Sequence, residues 1–168
     1  KQKKGSETKV TMSELVLPND TNFHGNLMGG RLMYWMDVIS AVSAQRHCGR
    51  VVVTASVNNI SFNQPIKLGE VVTLNAGVTR SFNSSMEVFI EVFAENLPSG
   101  GRVRSNEAYY TFVALDGRNK PVTVPELTPQ TEEEVLKFEG ALRRRQVRLI
   151  LAGKMKPEDA QELKNLFV

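Results

Sequence analysis

A carboxylate in the middle of an apolar segment is the first group in this sequence that could carry out chemistry. Asp37 stands in a run from Leu32 to Ala44 in which most residues are apolar. A helix that is apolar nearly all the way round is expected inside a structure. An unpaired carboxylate there is costly unless it is paired, hydrogen-bonded or protonated. A catalytic role would explain the presence of Asp37 in this helix. The alternative is that Asp37 is a partly buried polar residue whose hydrogen bonds are satisfied.

A pair of glycines stands where this helix is expected to begin. Gly29 and Gly30 have no Cβ atom, so a ligand can approach the backbone closely, and the free N–H groups at a helix start carry a partial positive charge. Such groups can stabilise an oxyanion. Asp37 follows Gly30 by about two helical turns, roughly 10 Å along the axis. Either the two serve different parts of a long substrate, or a second chain completes the site.

Two further polar residues flank the helix. The amide of Asn26 both donates and accepts hydrogen bonds, so it can position a water or a carbonyl group, and a simple turn residue is the alternative. His47 and Cys48 follow the apolar run, but the chain has only two histidines and one cysteine. This is not a zinc-type ligand set, and structural roles are expected for both.

The elements that must position these residues are predicted from periodicity and turn signals. Strands are expected at 7–17, 51–64, 71–82, 85–97 and 102–116. The strand at 85–97 alternates, with its glutamates on a wetter face than its apolar residues. Thr131 and Glu134 form a capping box at the start of a second helix, and Pro157 begins a short one. The pattern predicts an α+β fold, in which one antiparallel sheet curls around the first helix.

Composition limits the setting. A chain of 168 residues with a net charge of +3 has the length of one domain, and its charge does not suggest a nucleic-acid surface. A lone Cys48 favours a reducing compartment. The polar start and the lack of an apolar run of about 18 residues predict a soluble, cytoplasmic protein without a membrane partner. We expect a domain at 1–152 and a short helical tail at 153–168.

Three motifs in order resemble the hotdog-fold acyl-coenzyme A thioesterases, in particular the cytosolic acyl-CoA hydrolases, over residues 8–150. They are DTNFHGNLMGGRLMYWMD, TASVNNISFNQPIKLGEVV and VTRSFNSSMEVFIEV. The resemblance implies a sheet wrapped around a long helix, and subunits that pair so that each active site is shared. By position, Asn26 matches the catalytic Asn of the loop and Asp37 the acid of the helix. The two are then expected from opposite subunits of a homodimer, which assembles into a trimer of dimers.

The resemblance also implies where coenzyme A binds. Contacts are expected from a strand triplet, a turn and two arginines: Ala55, Ser56, Val57, Ser84, Ser85, Met86, Arg80 and Arg145. For the triplet and the turn, the alternatives are an ordinary strand and an ordinary hairpin. For the arginines of the second helix, the alternative is a solvated face that complements the negative helix end.

The expected reaction is hydrolysis of an acyl-CoA thioester to a carboxylic acid and coenzyme A. Gly30 would help to form the oxyanion site, and Asp37 would act as general base or, alternatively, as nucleophile. No cofactor is expected beyond coenzyme A, which is part of the substrate and the product. Two alternatives are a non-catalytic acyl-CoA sensor and a hydratase or dehydratase of the same fold. The hydratase would pair Asp37 with a histidine, and the spacing of His24 and His47 does not indicate this.

Overall fold

The computed structural model describes residues 2–58 and 64–167. The chain forms two compact units, Lys1–Thr128 and Pro129–Val168. The sequence predicted a domain boundary after residue 152, which separates only the tail at 153–168. This boundary stays a prediction.

The described part of the first unit is built on short and long strands and one long helix. The helix is α1 (Gly29–Cys48). The strands are β1 (Lys3–Lys4), β2 (Val10–Leu15), β3 (Val51–Asn58), β4 (Val71–Ser81), β5 (Ser85–Asn96), β6 (Gly101–Leu115) and β7 (Leu127–Thr128). Two 3₁₀ turns, Gly5–Thr8 and Pro18–Asp20, precede α1. The strand predicted at 51–64 is therefore observed to Asn58, and its continuation over 59–63 lies outside the described residues.

Five of these strands form one antiparallel sheet in the order β2-β4-β5-β6-β3. Strands β4, β5 and β6 make a meander because short turns join them. Strand β3 precedes β4 in the chain, but it lies at the far edge of the sheet beside β6. The two short strands β1 and β7 pair in parallel. Among the described residues, β3, the strand that follows α1, therefore has no strand partner on its outer edge.

Alternation along the strands decides which face of the sheet carries the core. Val88, Ile90 and Val92 of β5 are fully buried and belong to a core cluster that includes Leu32 and Met36 of α1. The antiparallel α+β architecture predicted from periodicity is confirmed. One glutamate departs from its predicted wetter environment. Glu87 is 0% exposed, and the Thr79 hydroxyl donates to its carboxylate at 2.6 Å.

The helix α1 is buried on one face only. Leu32, Trp35, Met36 and Ile39 face the core. The opposite face leaves large apolar side chains exposed. The exposed fraction is 61% for Tyr34, the highest among the large apolar residues of α1, and 41% for Met33. The prediction of a helix buried all round was therefore wrong for the single chain, because one sheet can cover only one side of a helix.

The ends of both long helices follow their sequence signals. Gly49 closes α1 in the left-handed region at φ 66°, and its N–H donates to the Gln45 carbonyl at 2.7 Å. In the second unit, Thr131 and Glu134 make the predicted capping box at the start of α2 (Glu132–Leu151). A 3₁₀ turn at Pro157–Asp159 leads into the short helix α3 (Gln161–Lys164). No helix in the described ranges is long and apolar enough to cross a membrane.

Candidate active site

Asp37 is held in place by a residue that sequence reasoning missed. The Thr54 hydroxyl donates a hydrogen bond to Asp37 Oδ1 at 2.8 Å. Asp37 is half-buried, and across the described residues its carboxylate makes no salt bridge and its other oxygen makes no hydrogen bond. Thr54 lies on the edge strand β3, opposite Phe112. This arrangement fixes one carboxylate oxygen and leaves the second to accept a proton.

The surroundings of Asp37 are apolar and open in the single chain. On α1, Met33, Tyr34 and Val38 are exposed, and on β3 Val57, which shares the face of Thr54, is 36% exposed. Exposed apolar side chains on neighbouring elements are typical of surfaces that bind a ligand or another protein. The carboxylate therefore borders a surface that a long acyl group or a second chain can cover.

The loop before α1 is organised by Asn22 rather than by Asn26. The Asn22 side-chain oxygen accepts the backbone N–H groups of His24 at 3.0 Å and Asn26 at 3.2 Å. The Asn22 N–H in turn donates to the Asn26 carbonyl at 2.9 Å. Gly25 completes this turn at φ 75°. The side-chain nitrogen of Asn22, Nδ2, and the side chain of Asn26 make no hydrogen bond to any described residue, so both remain able to bind a ligand.

The start of α1 presents the predicted backbone donors. The N–H groups of Arg31 and Leu32 donate to the Met28 carbonyl at 3.0 and 3.2 Å, which leaves the first two helical N–H groups, those of Gly29 and Gly30, without an intrahelical partner. Gly30 is exposed, and a Cβ atom at this position would have nothing within 4 Å. A reacting carbonyl can therefore approach this helix end without obstruction.

The loop is tied to the helix start by an ion pair. Arg31 Nε lies 3.2 Å from the carboxylate of Asp20, and Asp20 also accepts the Leu17 N–H at 3.0 Å. Asp20 is buried at 7% exposure. A partly buried pair with a second hydrogen bond holds its geometry better than an exposed pair. Within the described chain, no hydrogen bond joins Asn22 or Asn26 to Asp37.

The residues expected to bind coenzyme A are spread over three places. Ser56 lies on β3 next to a bulge at Ala55, and its hydroxyl is buried without a hydrogen-bond partner among the described residues. Val57 follows it, on the opposite face of β3. The strand register aligns Ser56 with Arg80 in one row across four strands, about 14 Å apart at the usual strand spacing.

The predicted turn contacts lie beside the start of β5. Ser84 and Ser85 are half-buried, whereas Met86 is fully buried in the core. In the single chain, Met86 therefore presents no surface to a ligand. Arg145 lies on α2, in the second unit. None of these residues makes a hydrogen bond to Asp37.

The histidine at the end of α1 has a structural environment. His47 is 0% exposed, and its Nε2 lies 2.7 Å from both Ser81 Oγ and the Pro125 carbonyl. Burial is the largest cause that lowers the pKa of His47 below 6.5. No group of three or more His, Cys, Asp or Glu residues that could hold a metal is found in the described part of the chain. Neither His24 nor His47 contacts Asp37 by a hydrogen bond.

Residues 24–100 match the family model of the Thioesterase superfamily. The chain is 45% identical to "Uncharacterized acyl-CoA thioester hydrolase YkhA" of Bacillus subtilis over 138 residues. The match covers 82% of this chain and 80% of that protein. The chain belongs to the thioesterase superfamily, whose sheet wrapped on a long helix is the hotdog fold. Within that superfamily it belongs with the acyl-CoA thioester hydrolases.

Solved structures agree with this assignment. A crystal structure of an apo-hexameric acyl-CoA thioesterase has a TM-score of 0.87 and 36% identity, and the match covers 90% of this chain and 97% of that one. The acyl-CoA hydrolase of Staphylococcus aureus, in complex with butyryl coenzyme A, coenzyme A and coenzyme A disulfide, has a TM-score of 0.82 and 34% identity, with 100% of both chains covered. Structures of that hydrolase also exist with an aspartate, a threonine or an asparagine replaced by alanine.

Proposed function

We propose that this protein hydrolyses acyl-CoA thioesters with Asp37 as general base, held by Thr54. The observation that carries the proposal is the hydrogen bond of 2.8 Å between these two side chains, beside an open apolar surface. A carboxylate with one fixed oxygen and one free oxygen is suited to take a proton from a water molecule.

The residues replaced in the Staphylococcus aureus hydrolase support this choice and add a third residue. In that protein the aspartate lies 15 residues after the asparagine, and the threonine 17 residues after the aspartate. In this chain, Asp37 follows Asn22 by 15 residues and Thr54 follows Asp37 by 17. The same spacings favour Asn22 over Asn26 as the catalytic amide. Asn26, expected from the loop motif, stays the alternative.

The reaction then proceeds by addition and elimination. Asp37 takes a proton from water as the water oxygen bonds to the thioester carbonyl carbon, and the carbonyl π electrons move to the oxygen. The N–H groups of Gly29 and Gly30 stabilise this oxyanion. When the oxyanion collapses, the carbon–sulfur bond breaks, and the proton on Asp37 passes to the leaving thiolate. A free acid and coenzyme A leave, and Asp37 returns to its ionised form.

A second copy of the chain completes this site. Because Gly30 and Asp37 lie two turns apart on one helix, roughly 10 Å, the donors and the base at one carbon are best supplied by different subunits. The exposed apolar side chains of α1 and the unpaired edge of β3 provide a surface for such pairing. We extend the proposal to a homodimer with shared sites that assembles further into a trimer of dimers.

Coenzyme A would bind beside this site, through the residues that the resemblance indicates. The buried hydroxyl of Ser56, unpaired among the described residues, can donate to the coenzyme, with backbone contacts from Ala55 and Val57. Ser84 and Ser85, which are half-buried and precede the buried Met86, offer donors at the turn. Arg80 and Arg145 supply the positive charge that phosphates require. No further cofactor is needed for this reaction.

The test is thiol release from acyl-CoA esters that range from acetyl to palmitoyl. We expect multiple turnovers with the purified protein, and a loss of about 10² to 10⁴ in kcat for Asp37→Asn, with an unchanged melting temperature. Turnover of Asp37→Asn at the wild-type rate would reject the assignment of the base. A protein that binds acyl-CoA without turnover would instead be a sensor, and hydration of enoyl-CoA without thiol release would indicate a hydratase.

Mixed dimers test the shared site and decide between the two asparagines. Asp37→Asn is co-expressed with Asn22→Ala or with Asn26→Ala, each of which is first assayed alone. If Asn22 acts across the interface, the inactive single variants regain about a quarter of wild-type activity on random pairing, since half of the dimers then carry one intact site. No recovery would show that Asp37 and the amide belong to one chain.

A further inference from the structure

Tyr110 is a buried residue whose hydroxyl group has no hydrogen-bond partner among the described residues. The residue is 1% exposed, and its ring stacks on that of Phe112 with centroids 6.0 Å apart and an angle of 13° between the planes. Its hydroxyl makes no hydrogen bond to any residue in the described ranges. The hydroxyl oxygen itself keeps some contact with solvent, so a water or a ligand can bind it.

The strand register places the Tyr110 side chain on the same face of the sheet as Thr54, the residue that binds Asp37. Phe112 pairs with Thr54, and Tyr110 pairs with Val57. Tyr110 and Phe112 are two residues apart on β6 and therefore point to the same face, about 7 Å apart along the strand. Since Thr54 donates to Asp37, Tyr110 lies one cross-strand pair away from the residue that holds the carboxylate.

The charge of Asp37 reaches the phenol. Burial, and after it the negative charge of Asp37, raises the pKa of Tyr110 to about 12. The phenol is therefore neutral at physiological pH, and it can donate one hydrogen bond and accept others. A neutral hydroxyl group near a carboxylate can orient a water molecule that both groups contact.

We propose that the Tyr110 hydroxyl holds the attacking water against the free oxygen of Asp37. The proposal rests on the hydrolase function argued above and adds a residue to that site. The water molecule then donates one proton to Asp37. The phenol keeps the water oxygen in position while this oxygen attacks the carbonyl carbon. Thr54 fixes the base, and Tyr110 fixes the nucleophile.

Phenylalanine at this position would make the same packing contacts without an unpaired polar group. If the hydroxyl had no part in the reaction, its removal would leave turnover unchanged and the stability of the protein equal or higher. The two roles therefore differ in what Tyr110→Phe does to turnover.

The experiment compares Tyr110→Phe with Tyr109→Phe, which removes the same atom from the neighbouring residue on the opposite face of β6. Steady-state thiol release gives kcat and KM, and thermal unfolding gives the melting temperature. We expect Tyr110→Phe to lower kcat by roughly three- to tenfold, the effect of one neutral hydrogen bond, with KM unchanged and the melting temperature equal or higher. Tyr109→Phe should retain the wild-type kcat.

The outcomes separate this inference from the proposed function. Wild-type kcat in Tyr110→Phe, with Asp37→Asn inactive, would overturn the role of Tyr110 and leave the hydrolase intact. A change in KM alone would also overturn it, because the hydroxyl would then contact the bound substrate rather than the water. A wild-type protein that releases no thiol would reject the proposed function itself.

Discussion

Replacing Thr54 by valine removes one hydrogen bond to Asp37 while the shape of the side chain is kept. The bond is 2.8 Å long and ends on a carboxylate oxygen. Valine favours an extended strand at least as well as threonine does, so β3 should form as before. Any loss of activity then reports on the position of the carboxylate rather than on folding.

The expected size of the effect follows from the type of bond. A hydrogen bond to a charged group contributes about 1.5–3 kcal/mol, and each 1.36 kcal/mol in a barrier corresponds to about tenfold in rate. Because Thr54 is exposed on an edge strand and Asp37 is only half-buried, we expect the lower end of this range. Thr54→Val should therefore lower kcat by about tenfold, with KM changed by less.

Two variants control this measurement. Thr54→Ser retains the hydroxyl and should keep most of the activity. Thr11 lies on β2, at the opposite edge of the sheet, and its hydroxyl donates to Asn75 Oδ1 at 2.7 Å. Thr11→Val removes this hydroxyl and should have wild-type kcat. The assay is thiol release from one acyl-CoA ester, with melting temperatures for all variants. Full activity in Thr54→Val, or equal losses in Thr54→Val and Thr54→Ser, would refute the reasoning.

Two other perturbations address the helix start and the buried histidine. Gly30→Ala has open space for its methyl group and should keep the wild-type melting temperature. It should nevertheless lose thiol release, because the methyl group occupies the approach to the N–H donors; full activity would contradict the oxyanion site. Since the pKa of His47 is lowered mainly by burial, the unfolded chain binds the proton more readily. The free energy of unfolding should therefore decrease as pH falls below about 6.5. Urea unfolding should show a smaller decrease for His47→Gln than for the wild type, and an equal decrease would contradict this role.

Local patterns were sufficient for most of the fold. The alternation of β5, the capping box at Thr131 and the glycine that ends α1 at Gly49 each depend on residues within a few positions. Their elements are observed where the sequence predicted them. Glu87 is the exception, because its burial depends on what packs on the outer face of the sheet and not on the alternation of β5.

The candidate site was visible in the sequence only as isolated residues. Asp37 was indicated because a carboxylate in an apolar helix requires a reason, and Gly30 because of its place before the helix. Thr54 carried no local signal. It is one threonine in a β-branched strand, and it becomes relevant only because β3 lies beside β6 at the edge next to α1.

The sequence by itself determined the long strands, the two long helices and the family, since each depends on short-range spacing or on motifs of contiguous residues. Only the tertiary structure decided which side of α1 is covered and which residues surround Asp37. Strand order brings Thr54 and Tyr110, which lie far apart in the chain, to the same face of the sheet. Pairing between distant strands is set by the packing of the whole unit, and no local pattern specifies it.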